Sequence, residues 1–260
     1  MKIYQVDSFT NEPFKGNPAG VCVLTKAPSE QWMKNVAKEM NLSETAFLFP
    51  QDDGYSLRWF TPVSEVDLCG HATLASAHIL WEREFVPKNS QINFYTKSGL
   101  LTTVLKNGKI EMDFPASEIE ESEPIKNMED ALGTNIISTY KTQFDLLLRV
   151  ENQKILEDLN PNFDYLARVS DRGVIVTAKS DNEKYDFVSR FFAPTIGINE
   201  DPVTGSAHCA LVVYWKNELG KTEFNACQIS ARGGELGVEL VGDRVKIRGE
   251  AVTVLDCELL

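Results

Sequence analysis

The chain contains the same pattern twice. Arg58-Trp59-Phe60-Thr61-Pro62 returns as Arg190-Phe191-Phe192-Ala193-Pro194, 132 residues later. After three extra residues of spacing, Gly70-His71-Ala72 returns as Gly205-Ser206-Ala207, now at an offset of 135. The same offset pairs Ala75 with Ala210, Gly99 with Gly234, Leu101 with Leu236, Leu105 with Leu240, Ile110 with Val245 and Met112 with Ile247, with no gap needed between residues 70 and 112. Both copies run R-x-F-x-P, loop, a helix opening on glycine, strand, Gly, strand, turn, strand. Two copies of a strand-rich unit around one buried helix predict an α+β protein of two similar lobes.

Short apolar runs bounded by turn residues place the elements. Tyr4–Phe9 and Ala19–Leu24 read as strands on either side of a turn-rich stretch at 11–18. Ser29 can cap a helix to Met40, with Trp32, Val36, Ala37 and Met40 on one face. Ala46–Pro50 and Tyr55–Phe60 read as strands, and Gly70–Trp81 as a helix with almost no polar face, hence a buried one. Gln91–Thr96, Leu100–Leu105 and Lys109–Phe114 read as three more strands, with Lys106-Asn107-Gly108 as a hairpin turn. The acidic stretch 116–124, ending on Pro124, reads as a linker. The expected domains are therefore 1–115 and 116–250.

Charge narrows the partners. The chain has 38 acidic against 26 basic residues, a net −12, and no basic stripe for nucleic acid or anionic membrane. No run approaches the roughly 20 apolar residues of a membrane helix, and the first residues do not read as a signal peptide. Five well-separated cysteines without C-x-x-C fit neither a disulfide framework nor a zinc site. A reducing, cytoplasmic setting is expected.

Duplicated lobes are expected to put equivalent elements face to face across a cleft. The most alike are the junctions Asp67–His71 and Asp201–Ser206, each opening a buried helix and offering free N–H groups and a positive dipole end. Two such ends suit a carboxylate, with Gly70 and Gly205 allowing close approach. That predicts a small carboxylate-bearing substrate and carbanion-like chemistry. Glu44, after Ser43 and before the apolar 45–49, suits a general acid/base; equally, Ser43 and Glu44 only end a helix and start a strand. His71 sits where dipole and burial favour its neutral form, as a structural or a catalytic histidine. Asp201 reads as turn chemistry or a site carboxylate, Ser206 as a cap or a ligand contact, and His78 and His208 as structural. Glu44, His71, Asp201 and Ser206 at equivalent corners together suit proton transfer.

At these residues the sequence resembles the PhzF-type phenazine-biosynthesis isomerases. The resemblance rests on Asp7-Ser8-Phe9, Gly16-Asn17-Pro18-Ala19-Gly20-Val21, Asn41–Thr45, Arg58–Pro62 and Cys69–Thr73. Arg190–Pro194, Glu200–Ala207 and Arg232-Gly233-Gly234 carry it through the second half. It implies the diaminopimelate-epimerase-like fold, two pseudosymmetric lobes that are each a strongly curved, barrel-like mixed sheet around a central helix, with residues 251–260 returning to the first lobe. It further implies a homodimer without metal or organic cofactor. Glu44 would shuttle the proton, and His71, Asp201 and Ser206 would hold and polarise the substrate, with Ser43 and the amides around Gly70 and Gly205 lining it. In the phenazine pathway such an enzyme shifts the double bonds of a dihydro-hydroxyanthranilate. The alternatives are a two-cysteine racemase or epimerase of the same fold, and a non-catalytic binder. Cys69 has Thr204 at offset 135, so the second thiol is missing, and Cys69 reads as a small core residue.

Overall fold

The computed structural model describes residues 1–88, 90–171 and 173–260. In chain order the elements are β1 (Lys2–Ser8), β2 (Asn17–Val23), α1 (Glu30–Met40), β3 (Glu44–Gln51), β4 (Gly54–Phe60), β5 (Glu65–Val66), α2 (Gly70–Glu82), β6 (Ile92–Thr96), β7 (Gly99–Lys106) and β8 (Lys109–Pro115). There follow β9 (Ile119–Ser122), α3 (Met128–Leu132), β10 (Ser138–Thr142), β11 (Leu146–Arg149), α4 (Gln153–Asp158), α5 (Phe163–Val169), β12 (Val174–Lys179), β13 (Phe187–Ala193) and β14 (Ile198–Asp201). The chain ends with α6 (Gly205–Leu219), β15 (Glu223–Gln228), β16 (Gly234–Val241), β17 (Arg244–Gly249) and β18 (Ala251–Glu258). No described helix is long and apolar enough to cross a membrane. The five cysteines are free thiols.

The chain divides into two units, Met1–Phe114 with Ile247–Leu260, and Pro115–Lys246. In unit 1, β1 pairs antiparallel with β18 and with β2, and β2 runs parallel to β3. β3 is antiparallel to β4, β4 antiparallel to β5 and parallel to β6, and β6–β7–β8 form a meander. The parallel β2–β3 step needs a crossover, which α1 supplies. Ser29 accepts from Trp32 N to start α1, and Asn41 stops it in the left-handed region at φ 49°. Its buried side is Met33, Val36 and Ala37, with Trp32 and Met40 at the margins, a slightly rotated face from the expected one. Asn107 and Gly108, at φ 53° and 79°, turn β7 into β8 in two residues, as the Asn-Gly pair favours.

α2 is the centre of unit 1, packed on β1, β2, β3 and β18. Ten of its thirteen residues are buried. Its buried hydroxyls survive because they bond back along the helix, Thr73 to Cys69 O and Ser76 to Ala72 O.

Unit 2 repeats the pairing sense for sense. β9–β10 and β10–β11 are antiparallel, β11–β12 parallel, β12–β13 and β13–β14 antiparallel, β13–β15 parallel and β15–β16 antiparallel. α6 takes the place of α2, with His208, Leu211 and Trp215 among its buried residues. Two expectations are corrected. The acidic stretch 116–124 is not a linker throughout, because Ile119–Ser122 forms β9 and pairs with β10. Nor is the repeat gap-free after residue 70. Thr96 faces Gly99 across a two-residue turn, whereas Gln228 faces Gly234 across five. β6 and β15 therefore correspond at offset 132, and the longer turn around Arg232-Gly233 restores 135 at β16.

Candidate active site

Glu44 is the first residue of β3, three residues after α1 stops at Asn41, and it pairs with Ala19 of β2. The β2–β3 pairing is tight here: a Cβ on Gly20 would lie 2.9 Å from Thr45 Oγ1. Glu44 thus stands at the end of a buried strand, with its own side chain 13% exposed. His71 is the second residue of α2 and 5% exposed. Its Nε2 lies 3.3 Å from Glu44 Oε2, though not aligned as a full hydrogen bond. Catalytic contacts are often loose before a ligand tightens them.

The other edge of the ring is equally defined. Asn17 Nδ2 lies 3.2 Å and Cys69 Sγ 3.6 Å from His71 Nδ1, while Ser8 Oγ donates to the His71 carbonyl at 2.8 Å. Ser8 ends β1, Asn17 starts β2, and the connection between them holds Gly16 at φ +64°. A Cβ there would fall 2.1 Å from Ser8 O, so only glycine fits. The buried Asp7 carboxylate accepts from Phe14 N at 2.7 Å and braces the same loop. Burial pushes the His71 pKa down to about 3, so the ring is neutral at ordinary pH.

Glu44, Cys69 and His71 bring ligand-type atoms within 4.8 Å of one another. His71 Nδ1 faces the Asn17 amide and the Cys69 thiol, and Nε2 faces the Glu44 carboxylate.

In unit 2, Asp201 closes β14 and is 9% exposed. Its Oδ2 accepts from Thr204 Oγ1 at 2.5 Å, and its carbonyl accepts from Gln228 Nε2 at 2.7 Å. Gln228 Oε1 in turn accepts from Thr204 N at 2.9 Å. Gly205 opens α6, and Ser206 beside it is exposed. Neither Cys69 before α2 nor Thr204 before α6 caps its helix with its side chain, and the start of such a helix suits an anion. Ser43 is half-buried just ahead of β3, and Gly70 is half-buried at the start of α2.

Strand register compares the two units residue by residue. Arg58 faces Phe47, and Arg190 faces Val176. Glu44 therefore corresponds to Gly173, and His71 to Ser206. The carboxylate–imidazole pair exists in one copy only. Sequence reading named Asn17 only within the Gly16–Val21 motif and gave it no site role, because in a Gly-Asn-Pro turn it looks like turn chemistry. Gln228, with no polar pattern around it, carried no signal. Cys69 is buried, as expected of a core residue, but it also touches the His71 ring. His78 and His208 have other partners: His78 Nε2 meets Thr253 Oγ1 at 3.1 Å, and His208 Nδ1 meets Thr204 O at 2.8 Å.

A mixed α and β fold of this kind is shared by PhzF-type proteins and by epimerase-like proteins. A 21%-identical predicted epimerase from Pseudomonas aeruginosa superposes with a TM-score of 0.80, over 100% of this chain and 99% of that one, a likeness of fold alone. The pattern of the PhzC-PhzF family, phenazine biosynthesis-like proteins, matches residues 6–257, and the chain belongs to that family. An uncharacterized isomerase of Halalkalibacterium halodurans is 54% identical over 259 residues, 99% of this chain and 98% of that protein. The crystal structure of a PhzF-family phenazine biosynthesis protein from Enterococcus faecalis is 42% identical, with a TM-score of 0.94 over 99% of both chains.

Proposed function

We propose that the protein is an isomerase that moves a proton between carbons of a small carboxylate-bearing substrate, with Glu44 as the acid/base group. The observation that carries this reading is the Glu44–His71 pair, a half-buried carboxylate against a buried imidazole at 3.3 Å. Burial keeps His71 neutral, so His71 is an N–H donor and Glu44 is the proton carrier. Glu44 takes a proton from a substrate carbon, and the electron pair moves into the adjoining π system. The carboxyl proton exchanges with water and the same carboxyl returns a proton to a different carbon, so substrate and product have the same composition and differ in the place of one hydrogen and of the double bonds. His71 Nε2–H orients the carboxylate and steadies negative charge as it develops. The uncapped start of α2 offers amides to the substrate carboxylate, and Asp201 and Ser206 are assigned to substrate binding.

Two-base racemisation is not favoured. It requires an acid/base group on each face of the reacting carbon, yet Cys69 corresponds to Thr204 and Glu44 to Gly173. The test is deuterium incorporation from D₂O into a pool of dihydroaromatic acids, cyclic amino acids and common L- and D-amino acids, read by mass spectrometry. Incorporation into a dihydroaromatic acid, reduced at least ~10²-fold by Glu44→Gln, is the expected result. Full-rate exchange in that variant would remove Glu44 from the mechanism.

A further inference from the structure

We propose that Asn17 is a positioning residue that sets the tautomer of His71, holding Nδ1 as the bare acceptor and leaving the proton on Nε2, where it faces Glu44. A neutral imidazole has one donor and one acceptor nitrogen, and the neighbour of one decides the role of the other. Here the neighbours differ in kind. Nδ1 is approached by two groups that can donate, the Asn17 amide at 3.2 Å and the Cys69 thiol at 3.6 Å. Nε2 is approached by a carboxylate oxygen, which can only accept while ionised, at 3.3 Å. The opposite tautomer would set an N–H against the Asn17 NH₂ and a lone pair against the Glu44 carboxylate, unfavourable on both edges.

Asn17 is suited to this task because it cannot easily turn away. It is fully buried, and it is anchored in the β1–β2 ladder opposite Ser8, whose hydroxyl holds the His71 carbonyl. The two residues grip the ring and the backbone of the same histidine. Asn17 touches no reacting atom in this arrangement and acts through His71. His208 provides a natural contrast: its Nδ1 lies 2.8 Å from the Thr204 carbonyl, which can only accept, so Nδ1 carries the proton there. The two buried histidines therefore hold opposite tautomers.

The purpose of the Nε2–H rests on the proton-shift reading above, but the tautomer is measured without substrate, so the two can fail separately. The experiment is a two-bond ¹H–¹⁵N correlation spectrum of the ¹⁵N-histidine-labelled full chain at pH 7, with His71 assigned from the signals lost in His71→Gln. In the wild type His71 should give a bare Nδ1 and a protonated Nε2, and His208 the reverse. A protonated Nδ1 on His71 would overturn the proposal directly. In Asn17→Asp the new carboxylate accepts only, so His71 Nδ1 should become protonated, by tautomer exchange or by charging the ring. Asn17→Leu, which keeps the bulk and removes the donor, covers the case in which a buried aspartate prevents folding; its spectrum should gain a protonated Nδ1 population. A folded variant of either kind with the wild-type pattern intact would sink the proposal, since a merely structural Asn17 would leave the nitrogen assignments unmoved.

Discussion

A buried imidazole resists protonation because the interior cannot replace the hydration of its charged form. His71 and His208 both answer to this, with pKa values pushed down to about 3 and about 4 from 6.5. The sign of the consequence follows from which state binds more protons. Above pH 6.5 neither folded nor unfolded chain protonates these rings, and they contribute no pH dependence. Below it, the unfolded rings take up protons that the folded ones refuse, so stability falls by up to about 1.4 kcal/mol per pH unit for each, until the folded values are reached. By pH 4.5 the pair should cost the fold on the order of 5 kcal/mol. His208→Asn should remove about half of that loss. Urea unfolding of wild type and variant at pH 7 and pH 4.5 reads it out; an identical pH 7-to-4.5 difference in both proteins would refute the assignment.

Between neighbouring strands, the repeat also duplicates an ion pair. Arg58 grips Glu65 from β4 to β5 through two bonds of 2.7 and 2.8 Å, and Arg190 grips Glu200 from β13 to β14 through two of 2.7 and 2.9 Å. Each guanidinium also lies over the phenylalanine two residues on, 5.2 Å from the Phe60 ring and 4.9 Å from the Phe192 ring. Arg58 holds the Glu65 carboxyl below its ordinary range, with Lys97 assisting. Arg190 does more, since its remaining nitrogen donates to the carbonyls of Leu159 at 2.7 Å and Leu156 at 3.2 Å, at the end of α4. Lysine cannot make that fork. Arg190→Lys should therefore cost about 2–3 kcal/mol of stability, and Arg58→Lys less, because Lys97 still reaches Glu65. Equal losses in urea titrations of the two would contradict this account. The arginines were legible as the repeated R-x-F-x-P, but their partners were not. Glu65 and Glu200 sit in two- and four-residue strands whose pairing with β4 and β13 is a tertiary fact. The longer elements read well because periodicity reports burial: α2 with almost no polar face, the Ser29 cap and the Asn107-Gly108 turn were all visible. Residues 119–122 were not, since an acidic edge strand with two exposed glutamates looks like solvated chain.

Taken as a whole, the chain duplicates its topology but not the Glu44–His71 pair. Glu44 and His71 were legible as candidates because their motifs are distinctive. That they stand 3.3 Å apart, and that their counterparts are Gly173 and Ser206, required the strand register. The second copy has closed over the position that corresponds to Glu44. A Cβ placed on Gly173 would lie 2.3 Å from Phe191 Cζ and 2.5 Å from Asp145 Oδ1, while Asp145 Oδ1 already accepts from Gly173 N at 3.1 Å. Phe191 is itself buried and paired across from β12, so it has little room to withdraw. Even a methyl group there should destabilise the protein by about 1–3 kcal/mol through overpacking, and a glutamate by more. Because Gly173 has no part in the proton transfer proposed for Glu44, that exchange rate per folded molecule should remain unchanged in Gly173→Ala. Thermal or urea unfolding together with the D₂O assay tests both halves. An alanine variant as stable as wild type would mean that the second copy still has room for a side chain at this position. A fall in the rate per folded molecule would mean that the proton chemistry is not confined to the first copy.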